Sequence, residues 1–322
     1  MKKKIVIQIP CLNEEETLPI ALADLPREVP GFDSVEWLVI DDGSTDKTVE
    51  VAKEHGVDHV LSLPHNQGLA KAFPAGIREC ARLGADVIVN TDADNQYDAS
   101  FIPALTRPIV DNEADIVVGA RPINNIEHFS PIKKFLQNLG SRAVRWASST
   151  RVKDAPSGFR AMRVEQALQL NVHNSYTYTI ETIIQAGHRG FRIVNVDIGV
   201  NGDLRPSRLV KSLASYVRRN MLTILRFFVI YKPLRFFFYS AAFPLFVSLV
   251  LFGRFGILYM LGDGNGKVQS LIVAGALLLL SVILMAIGVL GDIMAINRRL
   301  LEDIKTSVLL RELKDLQDRR QS

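Results

Sequence analysis

The chain is poor in cysteine and in histidine, and both scarcities restrict its chemistry. Its 322 residues include two cysteines, Cys11 and Cys80, so the sequence offers no disulfide framework and favours a reducing cytoplasm. None of the six histidines stands in an evident catalytic setting, which argues against a reaction that depends on a histidine base. Internal repeats are also missing, so a repeat architecture is excluded.

Residues 236–293 contain almost no charged side chains, whereas the rest of the chain has the usual proportion of them. The mean hydropathy of +0.15 is high for a soluble protein, yet the residues up to Val200 have a soluble composition. Two apolar segments, 236–261 and 268–293, each exceed the roughly 20 residues that a helix needs to cross a bilayer. The polar residues 262–266 between them predict a tight turn, so the two segments are expected to form a transmembrane hairpin.

Basic residues flank this hairpin: Lys232 and Arg235 precede it, and Arg298 and Arg299 follow it. The positive-inside rule therefore predicts that both ends, and the domain before them, lie in the cytoplasm, at the plasma membrane if the organism is bacterial. The net charge is only +4, and its concentration beside the apolar segments favours contact with anionic lipid over nucleic acid. Arg254 falls inside the first segment, near its outer end, where its side chain can reach the headgroups.

Strands and helices alternate through the first part of the chain. Apolar, β-branched runs predict strands over 5–9, 35–40, 57–63, 86–90 and 115–119. Helical patterns lie between them over 14–25, 47–55, 68–83 and 100–110. This alternation predicts an α/β, Rossmann-like fold with a mostly parallel sheet and helices on both faces.

Four regions are predicted along the chain. A catalytic domain over 1–205 is followed by a basic amphipathic helix over 206–232, suited to the headgroup layer of a membrane. The hairpin occupies 233–294. The remaining residues, 295–322, predict a charged cytoplasmic helix in which no catalytic residue is evident.

Charged residues follow the predicted strands where ligands usually bind. Asp41 and Asp42 end the second strand, Asp92 and Asp94 follow the fourth, and Arg121 follows the fifth. Ligands of parallel α/β sheets bind beyond the carboxyl ends of the strands. These side chains are therefore expected to meet in one site.

Asp92 and Asp94 stand two residues apart after a buried strand, and Gln96 can add a further oxygen. Such hard oxygen ligands suit Mg²⁺ or Mn²⁺, which bind phosphate oxygens of a ligand through one or two protein carboxylates. Taken alone, an Asp-x-Asp sequence is usually a solvated loop. Its position at the end of a buried strand favours a metal site.

Other polar residues have both a binding and a structural interpretation. The carboxylates of Asp41 and Asp42 can accept hydrogen bonds from a base or a ribose, or they can simply cap a helix before a glycine turn. Arg121, Ser157 and Arg160 are candidates to hold a phosphate through charge-assisted hydrogen bonds. Each arginine, taken singly, is also compatible with an ordinary surface position.

Five motifs occur in order: Ile9-Pro10-Cys11-Leu12-Asn13-Glu14-Glu15, Asp41-Asp42-Gly43-Ser44-Thr45-Asp46, Asp92-Ala93-Asp94-Asn95-Gln96, Gly119-Ala120-Arg121 and Ser157-Gly158-Phe159-Arg160. This series resembles the inverting GT-A glycosyltransferases of family 2, in the dolichyl-phosphate mannose synthase-like branch that glycosylates polyprenyl phosphates. The resemblance covers about the first 230 residues. The hairpin matches those members of the branch that carry membrane spans.

The resemblance implies roles for particular residues. The nucleotide sugar would be bound by Pro10, Asn13, Glu14, Asp41, Asp42 and Ala93. Asp92, Asp94 and Gln96 would bind the cation and the donor diphosphate, and Asp92, Asp94 and Arg121 would form the catalytic set. The acceptor phosphate would be held by Arg121, Ser141, Ser157, Arg160, Ser207 and Arg208. Two positions depart from the branch, with Gln137 where many mannose synthases have arginine and Arg208 where lysine is usual.

The implied reaction is a direct in-line attack of a polyprenyl (undecaprenyl or dolichyl) phosphate on the anomeric carbon of a UDP- or GDP-hexose, with inversion. A phosphate monoester is already largely dianionic near neutral pH, because its second pKa is about 6. It therefore needs little help from a base. The resemblance also allows a homo-oligomer.

Three alternatives remain at the sequence level. A processive polysaccharide synthase is suggested by Arg142-Ala143-Val144-Arg145-Trp146, but that signature comes too early and two spans are few for a polymer channel. A non-catalytic membrane adaptor that binds nucleotide sugar would tolerate loss of Asp92, Asp94 or Arg121, all of which are present. A transferase with a water-soluble acceptor would not need the basic helix beside the membrane.

Overall fold

The computed structural model describes residues 3–122, 144, 145, 148, 150–172, 178–202, 225, 226, 229–262 and 268–321. Its chain divides into two compact units, one of Met1–Met221 with Glu302–Ser322 and the other of Leu222–Leu301. The amphipathic helix predicted over 206–232 falls largely outside the described residues, as does the turn predicted over 262–266.

The first unit is built on a seven-stranded sheet. Its strands in chain order are β1 (Lys4–Cys11), β2 (Ser34–Asp41), β3 (His59–Ser62), β4 (Val87–Asn90), β5 (Ile116–Ala120), β6 (Arg160–Arg163) and β7 (Ile193–Asp197). They lie side by side in the order β3-β2-β1-β4-β6-β5-β7. Only β6 runs against its neighbours β4 and β5, so the sheet is mostly parallel, as predicted.

The helices of this unit alternate with the strands. They are α1 (Leu18–Asp24), α2 (Thr48–Glu54), α3 (Leu69–Arg82), α4 (Ile102–Val110), α5 (Val164–Leu168) and α6 (Thr179–His188). Pro74 lies inside α3 without ending it. The five predicted strands are all present, with ends that differ by one or two residues. β6, β7 and the two helices after Arg163 were not predicted.

Both faces of the sheet are covered, which explains why its strands are nearly continuous apolar runs. Ile5, Ile7 and Ile9 of β1 are fully buried in the main core cluster, with residues of α1 and α4. Successive residues of a strand point to opposite faces, so Gln8 faces α3, where its side chain approaches Gly76. Any larger residue than glycine at position 76 would overlap the Gln8 side chain.

The second unit contains two apolar helices, each long enough to cross a membrane. One is α7 (Pro233–Met260); the other is the first part of α8 (Val268–Gln321). The most apolar stretches of α7 and α8 have mean hydropathies of 2.0 and 2.8, and 17% of each is buried. The hydroxyl of Ser248 donates to the carbonyl of Ala274 (2.7 Å), and that of Ser281 to Ala241 (3.0 Å), which are contacts typical of helices paired in lipid.

The charged segment predicted over residues 295–322 continues the second apolar helix without a break, so α8 is 54 residues long. Its part from Glu302 onward belongs to the first unit. There Arg189 binds Asp303 (2.8 Å) and Glu302 (3.4 Å), and the Lys305 ammonium donates to the Asn171 side chain (2.9 Å). The tail of the helix is therefore an integral element of the sheet-bearing unit.

Candidate active site

The predicted site residues meet at one edge of the sheet, where the parallel strands end. Asp41, Asn90 and Ala120 are the last residues of β2, β4 and β5. Because β6 runs in the opposite direction, it begins at this same edge, and the segment from Ser157 therefore arrives there too. The reversal of one strand thus brings the fifth motif to the other four.

The first motif and the second are interlocked by hydrogen bonds. Asn13 has a positive φ of 54°, a conformation that asparagine tolerates better than most residues. Its side-chain oxygen accepts from the backbone N–H of Thr45 (2.8 Å), and its own N–H donates to the Ser44 hydroxyl (2.9 Å). The backbone N–H of the largely buried Glu14 donates to the Thr48 hydroxyl (2.8 Å). Pro10 lies half-buried near the end of β1, beside this junction.

Asp41 and Asp42 are both buried, and each carboxylate binds backbone N–H groups. Asp41 accepts from Ser44 (2.9 Å). Asp42 accepts from Gln67 and Gly68, both at 2.8 Å, just before α3 begins. The structural interpretation therefore holds for the glycine turn but not for the helix cap, since α2 begins at Thr48 without a side-chain cap. A carboxylate oxygen with one hydrogen bond can accept another from a ligand.

Gly43 is required by the turn that follows these carboxylates. Its φ is +77°, and a Cβ there would lie 2.7 Å from the backbone of His65 and Asn66. The loop after β3 therefore packs directly against the second motif. Backbone contacts between the two fix the position of this part of the site.

Asp92 is partly buried, and its carboxylate has charged neighbours. Burial, together with the charge of Asp94, raises the pKa of Asp92 to about 7, against the opposing effect of Arg121. Glu14 adds negative charge from the first motif. Asp94 itself accepts weakly from the backbone N–H of Gln96 (3.3 Å), and the intervening Ala93 is buried. A site that crowds carboxylates in this way favours a cation.

The chemistry of these donors fits a divalent metal ion shared with a ligand. Asp92 and Asp94 supply carboxylate oxygens and Gln96 an amide oxygen, which suit Mg²⁺ or Mn²⁺. The described residues contain no group of three or more His, Cys, Asp or Glu side chains placed to hold a metal by themselves. Phosphate oxygens of a bound substrate would complete the coordination.

Arg121 is held in place by a partner that the motifs did not reveal. Its guanidinium binds the buried Asp154 through Nε (2.7 Å) and Nη2 (3.1 Å), and it lies 5.9 Å from the centre of the Tyr97 ring. Its side chain is 15% exposed. Arg121 is therefore a pre-oriented cation at the edge of the site.

A network of buried polar side chains forms hydrogen bonds with the backbone of the fifth motif. Gln8 donates to the Asn90 side-chain oxygen (2.9 Å), and the Asn90 amide donates to the Gly158 carbonyl and the Tyr178 hydroxyl, both at 2.9 Å. The Gly158 N–H donates to the Tyr97 hydroxyl (2.9 Å). The sequence could have indicated Gln8 and Asn90 as members of this network, because each is a polar residue in an otherwise apolar strand. No such pattern in the sequence distinguishes Tyr97 or Tyr178.

Gly158 brings this network into contact with Asp92. A Cβ at position 158 would lie 3.2 Å from Asp92 Oδ2 and 3.1 Å from the Tyr178 hydroxyl. The neighbouring Ser157 is fully buried, and its hydroxyl has no hydrogen-bond partner in the described structure. Ser157 therefore has an unpartnered buried hydroxyl one residue from the glycine that contacts Asp92.

Arg160 lies inside the domain. Its guanidinium donates to the Ala155, Ser157 and Thr179 carbonyls and to the Thr182 hydroxyl, at 2.7–2.9 Å. Only 1% of the residue is exposed, and burial lowers the pKa of its guanidinium. In this arrangement Arg160 shapes the loop that carries Ser157. The other residues predicted for the acceptor, Ser141, Ser207 and Arg208, lie outside the described residues, as does Gln137.

Residues 6–167 match the model of the family described as Glycosyl transferase family 2, and this chain belongs to that family. The match covers every one of the five motifs. With the GT-A-like sheet and the converging site, it defines the protein as a glycosyltransferase.

Particular relatives agree with this class. The chain is 31% identical over 205 residues to an undecaprenyl-phosphate mannosyltransferase of Micrococcus luteus, covering 61% of this chain and 82% of that protein. It is 30% identical over 178 residues to a UDP-N-acetylglucosamine–dolichyl-phosphate N-acetylglucosaminyltransferase of Methanococcus voltae, covering 49% and 69%. A solved structure of glucosyl-3-phosphoglycerate synthase from Mycobacterium tuberculosis, with Mn²⁺, UDP and glucosyl-3-phosphoglycerate, matches with a TM-score of 0.56 at 25% identity, covering 70% and 80%.

Proposed function

We propose that this glycosyltransferase moves a hexose from a nucleotide-diphosphate sugar to a polyprenyl phosphate at a membrane surface. The observation that carries the proposal is the meeting of Asp92, Arg121 and Ser157 at the edge where Asp41 and Asp42 also lie. Relatives named for undecaprenyl-phosphate and dolichyl-phosphate acceptors support the lipid. Two apolar helices of membrane-spanning length support the location.

The donor is assigned to the acidic side of the site. Asn13, Glu14, Asp41 and Asp42 line the nucleoside part, with Pro10 and Ala93 beside them. Asp92, Asp94 and Gln96 would hold a divalent cation, Mg²⁺ or Mn²⁺, and that ion would supply positive charge for the departing diphosphate. The solved relative with Mn²⁺ and UDP supports this assignment.

The acceptor is assigned to the basic side. Arg121, oriented by Asp154, and the buried hydroxyl of Ser157 receive its phosphate. An acceptor phosphate oxygen bonds to the anomeric carbon from the face opposite the donor phosphate, the bond from that carbon to the donor oxygen breaks, and the nucleoside diphosphate leaves. Alignment of the two phosphates is the protein's main contribution, because the nucleophile is already ionised.

The test is transfer of radiolabelled sugar from a panel of UDP- and GDP-sugars to undecaprenyl or dolichyl phosphate, by the full-length protein in detergent, with Mg²⁺, Mn²⁺ or EDTA. We expect one donor to give a product that partitions into organic solvent, and EDTA to prevent its formation. That donor also names the sugar and the base. Absence of any lipid product from the whole panel would contradict the proposal.

A small phosphorylated acceptor is a second candidate, favoured by the structural likeness to glucosyl-3-phosphoglycerate synthase. The same panel with 3-phosphoglycerate in place of the lipid separates the two. A radiolabelled product in the aqueous phase, formed with 3-phosphoglycerate and not with polyprenyl phosphate, would assign the soluble acceptor.

A further inference from the structure

A cavity of about 630 Å³ lies within the first unit, lined by α3 and the segment before it, by the end of α5 and the residues after it, and by the tail of α8. Its volume is within the range of small-molecule sites. The walls are largely apolar, with Ile77, Leu168 and Val308 among them. No role in the transfer reaction is assigned to any of these residues.

The polar groups of the cavity are mostly cationic. Lys71, Arg78 and Lys305 line it from two elements, and no aspartate or glutamate is among its described lining residues. Lys305 donates to the neutral side chain of Asn171. Glu302 and Asp303, the acidic residues nearest to it on α8, are bound by Arg189. The three cations therefore have no counter-charge among the described residues lining the cavity.

Positive charge beside a concave apolar wall is complementary to one kind of ligand. A phosphate accepts charge-assisted hydrogen bonds from lysine and arginine. An aliphatic chain attached to the phosphate would cover the apolar wall and exclude water from it. Such burial stabilises a complex by about 25 cal/mol for each Å² of apolar surface buried. A ligand with both parts fits better than one with either part alone. Free phosphate would leave the apolar wall in contact with water, and an uncharged chain would make no contact with the three cations, which are exposed to water.

We propose that this cavity is a second ligand site that binds an amphiphile with a phosphate head and an aliphatic tail. It adjoins the nucleoside part of the transferase centre through Gln67, whose backbone N–H donates to Asp42, and its lining does not include the acceptor residues Arg121 and Ser157. Lys71, Arg78 and Lys305 bind the head, and the apolar residues of α3, of the segment after α5 and of α8 bind the tail. The proposal rests on the cavity and its charges alone, so it stands or falls independently of the acceptor assigned above.

The test uses the full-length protein in an uncharged detergent and three probes: dihexanoyl phosphatidic acid, dihexanoylglycerol and inorganic phosphate. Binding is measured by native mass spectrometry, and hydrogen exchange locates it. We expect phosphatidic acid to bind at least tenfold more tightly than either other probe and to protect residues 63–78 and 302–311. Equal affinity for phosphatidic acid and inorganic phosphate, or equal affinity for phosphatidic acid and dihexanoylglycerol, would overturn the proposal.

Variants distinguish this cavity from other lipid contacts. The double variant Lys71→Gln, Arg78→Gln should weaken phosphatidic acid binding by at least about tenfold, since hydrogen bonds to charged groups are individually substantial. The matched control Lys53→Gln, Arg107→Gln removes two exposed charges from α2 and α4 and should leave binding unchanged.

The Arg121→Gln variant, which alters the transferase centre, tests whether phosphatidic acid binds there instead. This variant should bind phosphatidic acid as the wild type does, with the same protection of residues 63–78 from hydrogen exchange. Loss of binding in Arg121→Gln, with binding intact in the Lys71, Arg78 double variant, would place the amphiphile in the acceptor site and overturn the proposal. A failed transferase assay would leave these binding results unaffected.

Discussion

Asp92 lies at the centre of the carboxylates, the arginine and the glycine loop that make up the site. Burial and Asp94 raise its pKa to about 7, because the surroundings oppose a second negative charge, and a bound cation would stabilise that charge. The repulsion between these carboxylates also means that a neutral amide at position 92 should cost the fold little stability. The proposed metal role needs the negative charge of Asp92, whereas the stability of the fold does not.

Replacing Asp92 with asparagine should abolish turnover while the protein stays folded. The amide removes the anionic ligand of the cation but keeps nearly the same shape, and relief of repulsion offsets lost contacts. The measurement is sugar transfer beside thermal unfolding of the same preparation. Asp98→Asn is the control, since asparagine also caps the short helical turn that Asp98 begins. Full activity of Asp92→Asn would refute the metal role.

Gly158→Ala tests the contact between the fifth motif and Asp92. The added Cβ would lie 3.1–3.2 Å from the Tyr178 hydroxyl and Asp92 Oδ2, so these groups must shift by a few tenths of an ångström. We expect kcat to fall about tenfold, because catalysis is sensitive to small displacements, and stability to fall by about 1 kcal/mol. In Gly202→Ala the added Cβ meets no atom of the described residues within 4 Å, so this variant should match the wild type. An unchanged kcat would show that the loop is not coupled to Asp92.

At the scale of elements, a carboxylate joins the residues that immediately precede β5 and β7, Asp115 and Arg192. Asp115 accepts from the Arg192 backbone N–H (2.9 Å), Nη2 (2.9 Å) and Nε (3.3 Å). These hydrogen bonds to Arg192 outweigh desolvation and lower the pKa of Asp115. The Asp115 side chain therefore holds β7, the edge strand that was not predicted from the sequence, against β5.

Asp115→Asn should lower the free energy of unfolding by about 1 kcal/mol at pH 7, since a solvent-accessible ion pair is worth little more. A lowered native pKa contributes stability above the unfolded value of about 3.9. The difference from wild type should therefore persist from pH 7 to about 5 and vanish as the pH falls through the native pKa. Urea unfolding, followed by the fluorescence of the buried Trp37, measures it.

The comparison variant is Asp111→Asn. Its carboxylate is half-exposed and makes one 3.5 Å contact with Arg107 within α4. Its unfolding free energy should stay within about 0.5 kcal/mol of wild type at every pH. A pH-independent loss in Asp115→Asn would show that packing, and not charge, joins the two strands.

At the scale of the whole molecule, the predicted orientation in the membrane is open to direct test. Cysteine introduced at Asn265, between the two apolar helices, should react with a membrane-impermeant maleimide in intact cells. Cysteine at the exposed Glu54 of α2 should react only after permeabilisation. The natural Cys11 and Cys80 are buried and should stay unlabelled in the folded protein. Labelling of position 54 in intact cells would reverse the orientation.

The sequence by itself determined the parts of this protein that depend on local pattern. Apolar runs of membrane length, the strand and helix alternation, and the carboxylates after β2 and β4 could all be predicted, because each is encoded by neighbouring residues. Membership of the glycosyltransferase family was visible in the five motifs and is confirmed by the family match. The site assignments of individual residues stay predictions.

Only the tertiary structure decided which distant residues meet. The reversal of β6 places Gly158 against Asp92, although the two residues are more than sixty positions apart. Asp154 orients Arg121, and the four donors of Arg160 turn inward to carbonyls and a hydroxyl. These partners are set by strand order and packing over long sequence separations. No local pattern records such contacts, since periodicity reports burial and not the identity of the neighbour.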